Sequence, residues 1–229
     1  MARKKNNSEP RCVHRHTIKE HPSCFAKGRV KPAKLESGCV PQKEPWFKQD
    51  DYRIGYLDIE TSNLWADFGI MLSWCLKEKE GEVSYDIIST KDIHNYGNDK
   101  RIVESLIEEM KRYAIICTYN GTRFDIPFVR TRALYHQMDF LNYGDIFHWD
   151  LYYTAKSKLR MTRKSLDAVT DLLGIPGKTP VPRETWRKAQ YGHKESLQYV
   201  LDHNIADVVI LEELHNKLLP FRKWIRSSI

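Results

Sequence analysis

The hydrophobic pattern of this chain changes period several times after residue 52. RIGYLDIET (53–61), GIMLSWCLKEK (69–79) and EVSYDIIST (82–90) are short, largely apolar runs separated by turn-like breaks such as Glu80-Gly81. Three such runs predict an antiparallel three-strand meander. DKRIVESLIEEMKRY (99–113) then sets Ile102, Leu106, Ile107 and Met110 on one stripe, the pattern of an amphipathic helix. AIICTYN (114–120) reads as a buried strand, and FDIPFVRTRALYHQM (124–138) as a helix that accommodates Pro127 in its first turn. SLDAVTDLLG (165–174) is a helix stopped by Gly174, with Pro176 beyond it. KESLQYVLDHNIADVVILEELHNKLL (194–219) is a long helical pattern with one candidate break near Asn204. Strands, a helix, a strand and further helices in this order predict an α/β layered domain around a mixed central sheet.

Residues 1–50 lack sustained periodicity and carry Pro10, Pro22, Pro32, Pro41 and Pro45, which sets them apart from a domain over 51–229. They also hold the whole charge excess: 12 Lys/Arg against 5 Asp/Glu, while the rest of the chain balances at 25 of each. A basic segment on a neutral body reads as an electrostatic handle for a polyanion such as nucleic acid; a solubilising tail is the plainer alternative. No apolar run reaches the roughly 18 residues that would span a bilayer, and the basic N-terminus lacks the apolar region of a secretory signal. No membrane association is expected. Five cysteines, two of them (Cys75, Cys117) inside apolar runs, point to a reducing compartment, and the cytoplasm is the expected location.

Acidic residues interrupt three of the apolar elements. Asp58 and Glu60 lie two apart in YLDIET, so a strand directs both to one face. Asp125 sits in YNGTRFDIPF, after AIICTYN and just before the following helix, and Asp207 sits in HNIADVVILEEL beside a run of apolar residues. Each has an ordinary reading: a wet strand end for Asp58 and Glu60, a helix N-cap for Asp125, a solvent-facing helix position for Asp207. Together, four carboxylates around one space repel unless divalent cations neutralise them, and hard oxygen donors suit Mg²⁺ or Mn²⁺. Two such ions about 4 Å apart are the arrangement that hydrolyses phosphodiesters.

YLDIET (56–61), YNGTRFDIPF (119–128) and HNIAD (203–207) resemble, in order, the three exonuclease motifs of the DEDD superfamily. The resemblance covers roughly residues 53–219. SLDAVTDLLGI (165–175) is also similar to the segment before the third motif in family B polymerase proofreading domains, and stand-alone relatives of that domain look most alike. It implies a ribonuclease H-like three-layer fold, the first three strands antiparallel and helices on both faces. It also implies 3′–5′ hydrolysis with two Mg²⁺ or Mn²⁺ ions held by Asp58, Glu60, Asp125 and Asp207. The third motif departs from both family patterns: His203 and Asp207 form H-x3-D, a histidine at the spacing usual for tyrosine. On a helix the two share a face, so His203 is expected to orient or deprotonate the attacking water; Tyr199, one turn earlier, is a weaker substitute. Thr61, Asn120 and Arg123 are candidate contacts to the terminal nucleotide or its phosphate. Asp150 reads as a helix N-cap, and the basic tract KSKLRMTRK (156–164) as either a strand-lining groove or a solvated face.

RCVHRHTIKEHPSCF (11–25) packs cysteines and histidines together, with Cys39 further on. Cys12, His16, His21 and Cys24 make one Cys₂His₂ set for Zn²⁺, in which His14 or Cys39 could replace a member. A metal staple would order a short segment that has no core of its own. A metal-free basic tail and an iron–sulfur cluster are the other readings. The function expected is a metal-dependent 3′–5′ exonuclease acting on a single-stranded nucleic-acid end. A structure-selective endonuclease and a non-catalytic nucleic-acid-binding module are the alternatives.

Overall fold

A computed structural model of the chain describes residues 52–95, 98–177 and 181–221. The basic N-terminal segment and its Cys12, His16, His21 and Cys24 lie outside the described residues.

Among the described residues, five strands form one sheet: β1 (Ile54–Thr61), β2 (Met71–Glu78), β3 (Val83–Ile87), β4 (Ile115–Thr118) and β5 (Phe147–Asp150). Their spatial order is β3-β2-β1-β4-β5. β1–β2 and β2–β3 pair antiparallel, as the meander predicts; β1–β4 and β4–β5 pair parallel. The sheet is therefore mixed, and the chain reverses its direction of travel across the sheet between β1 and β4. Open α/β sheets collect ligands at such a switch point, beyond the carboxyl ends of the strands.

Among the described residues, seven helices accompany the sheet: α1 (Thr90–His94), α2 (Lys100–Met110), α3 (Asp125–Tyr135), α4 (Leu151–Lys158), α5 (Leu166–Leu172), α6 (Arg183–Gln190) and α7 (Lys194–Leu218). The alternation of β1 decides which residues meet which layer. Leu57 and Ile59 join Leu72, Trp74 and Leu76 of β2 in the main core, against Ile102, Leu106 and Met110 of α2 and Val129 and Ala133 of α3. Tyr56, Asp58 and Glu60 face the other way, where Tyr56 is hydrogen-bonded to His215 of α7 (2.6 Å) and Asp58 to Asn204 of α7 (3.1 Å). Both faces are thus covered by helices. Among the described residues, no helix is long and apolar enough to cross a membrane.

Several local readings hold. α2 buries the predicted stripe plus Val103. Ser165 caps α5 through the Ala168 amide, and Gly174, at φ +66°, ends that segment in a conformation glycine adopts without strain. The expected break near Asn204 does not occur: α7 runs unbroken for 25 residues. Asparagine is a poor helix former because its amide competes for backbone partners. Here the amide is buried and donates to Asp58 instead.

The periodicity gave no separate account of α1, β5 and α6. β5 is four residues, all buried, running straight into α4 with no turn residue between. α6 (RETWRKAQ) buries only Ala189 fully, so its sequence reads as polar.

Candidate active site

The acidic residues sit at the carboxyl ends of β1 and β4. β1 pairs with β2 in register as far as Glu60↔Ser73, and the register then shifts between Glu60 and Thr61. Such an irregularity re-aims the side chains beside it. Asp58 and Glu60 are half-buried under α7.

The loop after β4 is equally constrained. Asn120 has a positive φ of 64°, and a Cβ on Gly121 would come within 2.3 Å of Thr118 Oγ1. Only glycine fits there. Asp150 caps α4 through the Tyr152 amide, as read from the sequence. It also accepts from the Asn120 and Thr122 amides (2.7 and 3.0 Å), which locks the loop leading to Asp125. That second role was not legible, because the residues it joins lie about thirty positions apart.

Asp125 is the first residue of α3 rather than its cap, a place occupied by Phe124. Its carboxylate is buried and accepts from the Ile59 amide of β1 (3.2 Å), tying α3 to the strand that carries Asp58 and Glu60. Burial pushes the Asp125 carboxyl up to about 7; its own amide and that of Ile59 oppose the shift, and repulsion from Asp150 and Asp207 adds to it.

From α7, His203, Asn204 and Asp207 share one face. Asp207 is buried, not solvent-facing. His203 Nε2 lies 3.9 Å from Glu60 Oε1 and 3.9 Å from Asp207 Oδ2. One donor atom from each of Glu60, His203 and Asp207 falls within 4.8 Å of the others, a grouping able to hold a metal ion. Asp58 joins the cluster through Asn204, whose Nδ2 donates to Asp58 Oδ2. Cys75, opposite Asp58 on β2, registers the combined field: burial raises its thiol pKa, and Asp58, Glu60 and Asp207 raise it further.

The structure therefore brings Glu60, His203 and Asp207 together directly, and links Asp58 and Asp125 to them by hydrogen bonds and charge. The three expected substrate contacts sit at the end of β1 and in the β4–α3 loop. Thr61 Oγ1 donates to Asn63 O (2.8 Å), Asn120 shapes the β4–α3 loop through its backbone, and Arg123 is exposed in that loop. Asn204 is the residue that sequence reasoning missed. Its signal was an amide side chain in the middle of a helix, between two residues already singled out.

The fold has counterparts among known proteins. A DNA polymerase of Methanocaldococcus jannaschii is 29% identical over 46% of this chain, which spans 8% of that relative's length. A DNA polymerase of Thermococcus litoralis is 21% identical over 94% of this chain, which spans 14% of its length. The solved structure of the family B DNA polymerase from the archaeon Pyrobaculum calidifontis superposes with a TM-score of 0.60 at 19% identity. That match covers 74% of this chain and 25% of the polymerase. A family model of the RNase H superfamily (RNase_H_2) matches residues 55–219, nearly the whole of the sheet and helices described above, and the chain belongs to that superfamily.

Proposed function

We propose that the chain is a metal-dependent 3′–5′ exonuclease that hydrolyses phosphodiester bonds at a single-stranded end of DNA or RNA. The observation that carries this reading is the convergence of Asp58, Glu60, Asp125 and Asp207, with His203, on the carboxyl ends of β1 and β4. The donor set fits divalent cations: carboxylate oxygens suit Mg²⁺ or Mn²⁺, and a cation would offset the burial and the lesser repulsion from Asp150 and Asp207 that raise the Asp125 pKa. Two ions bound there would supply Lewis-acid polarisation of the scissile phosphate. Asp58, Glu60, Asp125 and Asp207 would hold them. Asn204 would fix the Asp58 carboxylate, the irregularity after Glu60 would aim its neighbour, and the Ile59 amide would orient Asp125.

The surroundings support a strand as substrate. The loop from Ser62 to Gly69 leaves β1 directly after the site and presents Leu64, Trp65 and Phe68 at 71–82% exposure. Apolar and aromatic side chains beside a nuclease site are platforms for bases, whose stacking tolerates any sequence. On another side, Tyr119 donates to the Lys164 carbonyl (2.7 Å), which sets the end of the basic tract 156–164 beside the loop before Asp125. Lys156, Lys158, Arg160 and Arg163 are exposed along it, suited to phosphates. The relatives named above are DNA polymerases, which supports a nucleic-acid substrate.

The test is degradation of end-labelled single-stranded DNA and RNA in the presence of Mg²⁺ or Mn²⁺, with a covalently closed circle alongside. Shortening from the 3′ end with the circle untouched is expected. Cleavage of the circle would replace the exonuclease reading with an endonuclease one.

A further inference from the structure

We propose that His203 is itself a metal ligand, so that the ion beside α7 sits in a mixed imidazole–carboxylate site that selects a first-row transition ion such as Mn²⁺ over Mg²⁺. This rests on the metal-dependent reading of the site and specifies what it binds. It replaces the water-orienting role that the sequence assigns to His203, since an imidazole whose Nε2 lone pair binds an ion cannot use it for a proton.

The geometry is that of donors around an ion rather than of a base above one. His203 Nε2 stands 3.9 Å from both Glu60 Oε1 and Asp207 Oδ2, beyond hydrogen-bonding distance from either. With two separations at 3.9 Å and the third no longer than 4.8 Å, the three donor atoms lie on a circle of radius at most about 2.5 Å, against about 2.0–2.2 Å for a bound divalent ion. Rotamer adjustments of a few tenths of an ångström, on the order of thermal motion, close that difference. The three side chains are also enclosed, at 10%, 16% and 5% exposure for His203, Glu60 and Asp207. His203 and Asp207 are i and i+4 on a helix without a break, a spacing by which one helix presents two ligands to one ion. Glu60 completes the set from β1.

The donor chemistry then sets the metal. Mg²⁺ takes oxygen ligands almost exclusively and retains its waters, whereas imidazole suits the first-row transition ions. A carboxylate at position 203 would leave an all-oxygen site; the histidine shifts preference away from Mg²⁺.

The experiment uses the full chain, purified metal-free, with Mn²⁺ as the probe. Pulsed electron paramagnetic resonance at substoichiometric Mn²⁺ is expected to show ¹⁴N modulation from a coordinated imidazole, lost in both His203→Asp and His203→Gln. Calorimetry is expected to give Mn²⁺ an affinity at least about ten-fold above that of Mg²⁺, and His203→Asp should bring the two within about three-fold. Melting curves check that each variant folds, and the wild-type spectrum needs no variant. Absence of ¹⁴N modulation, or its persistence in both variants through another histidine, overturns the assignment. If Mn²⁺ binds through oxygen alone and the protein still degrades nucleic acid, the ligand role falls and the nuclease reading stands. If Asp207→Asn leaves Mn²⁺ binding unchanged, both fall.

Discussion

Replacing Arg132 with methionine is expected to destabilise the domain through one buried charge. Arg132 on α3 donates from Nε to both Asp99 oxygens (3.1 and 2.9 Å) and from Nη2 to Oδ1 (2.6 Å). The pair is almost fully enclosed, at 5% exposure for the arginine side chain and none for the aspartate. Although Asp99 occupies the cap position of α2, its carboxylate makes no capping bond; it also accepts from the Met71 amide, at the start of β2. Arg132 Nη1 in turn donates to the Ala66 carbonyl in the loop that carries Trp65 and Phe68. Breaking one side of such a pair costs about 3–5 kcal/mol, because the remaining charge is left buried. His136 Nε2, 2.8 Å from Asp99 Oδ1, and the Met71 amide stay behind as partial compensation, so the lower end, about 3 kcal/mol, is expected. In a domain of this size that lowers Tm by roughly 6–12 °C. Urea unfolding of Arg132→Met, Asp99→Asn and the double variant forms a cycle; the double variant should lose clearly less than the sum of the singles. Amide exchange at Phe68 and Gly69 should accelerate in Arg132→Met as the loop loses its tether. A single-variant cost below about 1 kcal/mol, or additive losses, would refute the reasoning.

Other expectations follow from named contacts. Asn204→Leu should keep the fold, since it exchanges a buried amide whose Oδ1 has no hydrogen-bond partner for an apolar group. It should nevertheless weaken divalent-metal affinity by about ten-fold as Asp58 loses its tether; unchanged calorimetric affinity would count against that role. With Asp125 at about 7, the metal-free protein holds a proton there that metal binding displaces. Proton release on adding Mn²⁺ at pH 6, and affinity that climbs with pH and levels off above about 7, are expected; a flat profile would contradict this. The folded-state value exceeds the unfolded one, so Asp125 makes the metal-free protein less stable as pH rises through that window. His148 acts in the opposite sense. Burial holds its ring at about 4, with Asp150 pulling upward and Arg130 pushing down, so the unfolded chain binds the extra proton between about 6.5 and about 4. Its contribution is present above pH 6.5 and lost as pH falls, and is read as the difference between wild type and His148→Gln; parallel profiles would sink it.

How much of this was legible follows from the range of each interaction. The strands and helices with a clear apolar period were readable because their burial pattern is written within a few residues: β1 and β2 on the sheet, α2 on its stripe. Asp58 and Glu60 stood out because two carboxylates in an apolar strand contradict the element around them, and Asp125 and Asp207 because each opens or interrupts an apolar run. What could not be read was contact between distant positions. Asn204 looked like a helix break until Asp58, 146 residues away, proved to be its partner. The double role of Asp150 and the Asp99–Arg132 pair depend in the same way on chain segments meeting in space. α6 escaped because its core-facing apolar residues are only Ala189 and the partly buried Trp186 in an otherwise polar stretch.

The measurement that bears most directly on the central claim is the fate of a 3′-labelled single-stranded oligonucleotide incubated with the metal-free protein, then with Mn²⁺ or Mg²⁺ added. No cleavage is expected without metal, release of the 3′ label as a mononucleotide with it, and none from Asp58→Ala combined with Asp207→Ala. Full activity in that double variant, or degradation that persists without divalent ions, would contradict it.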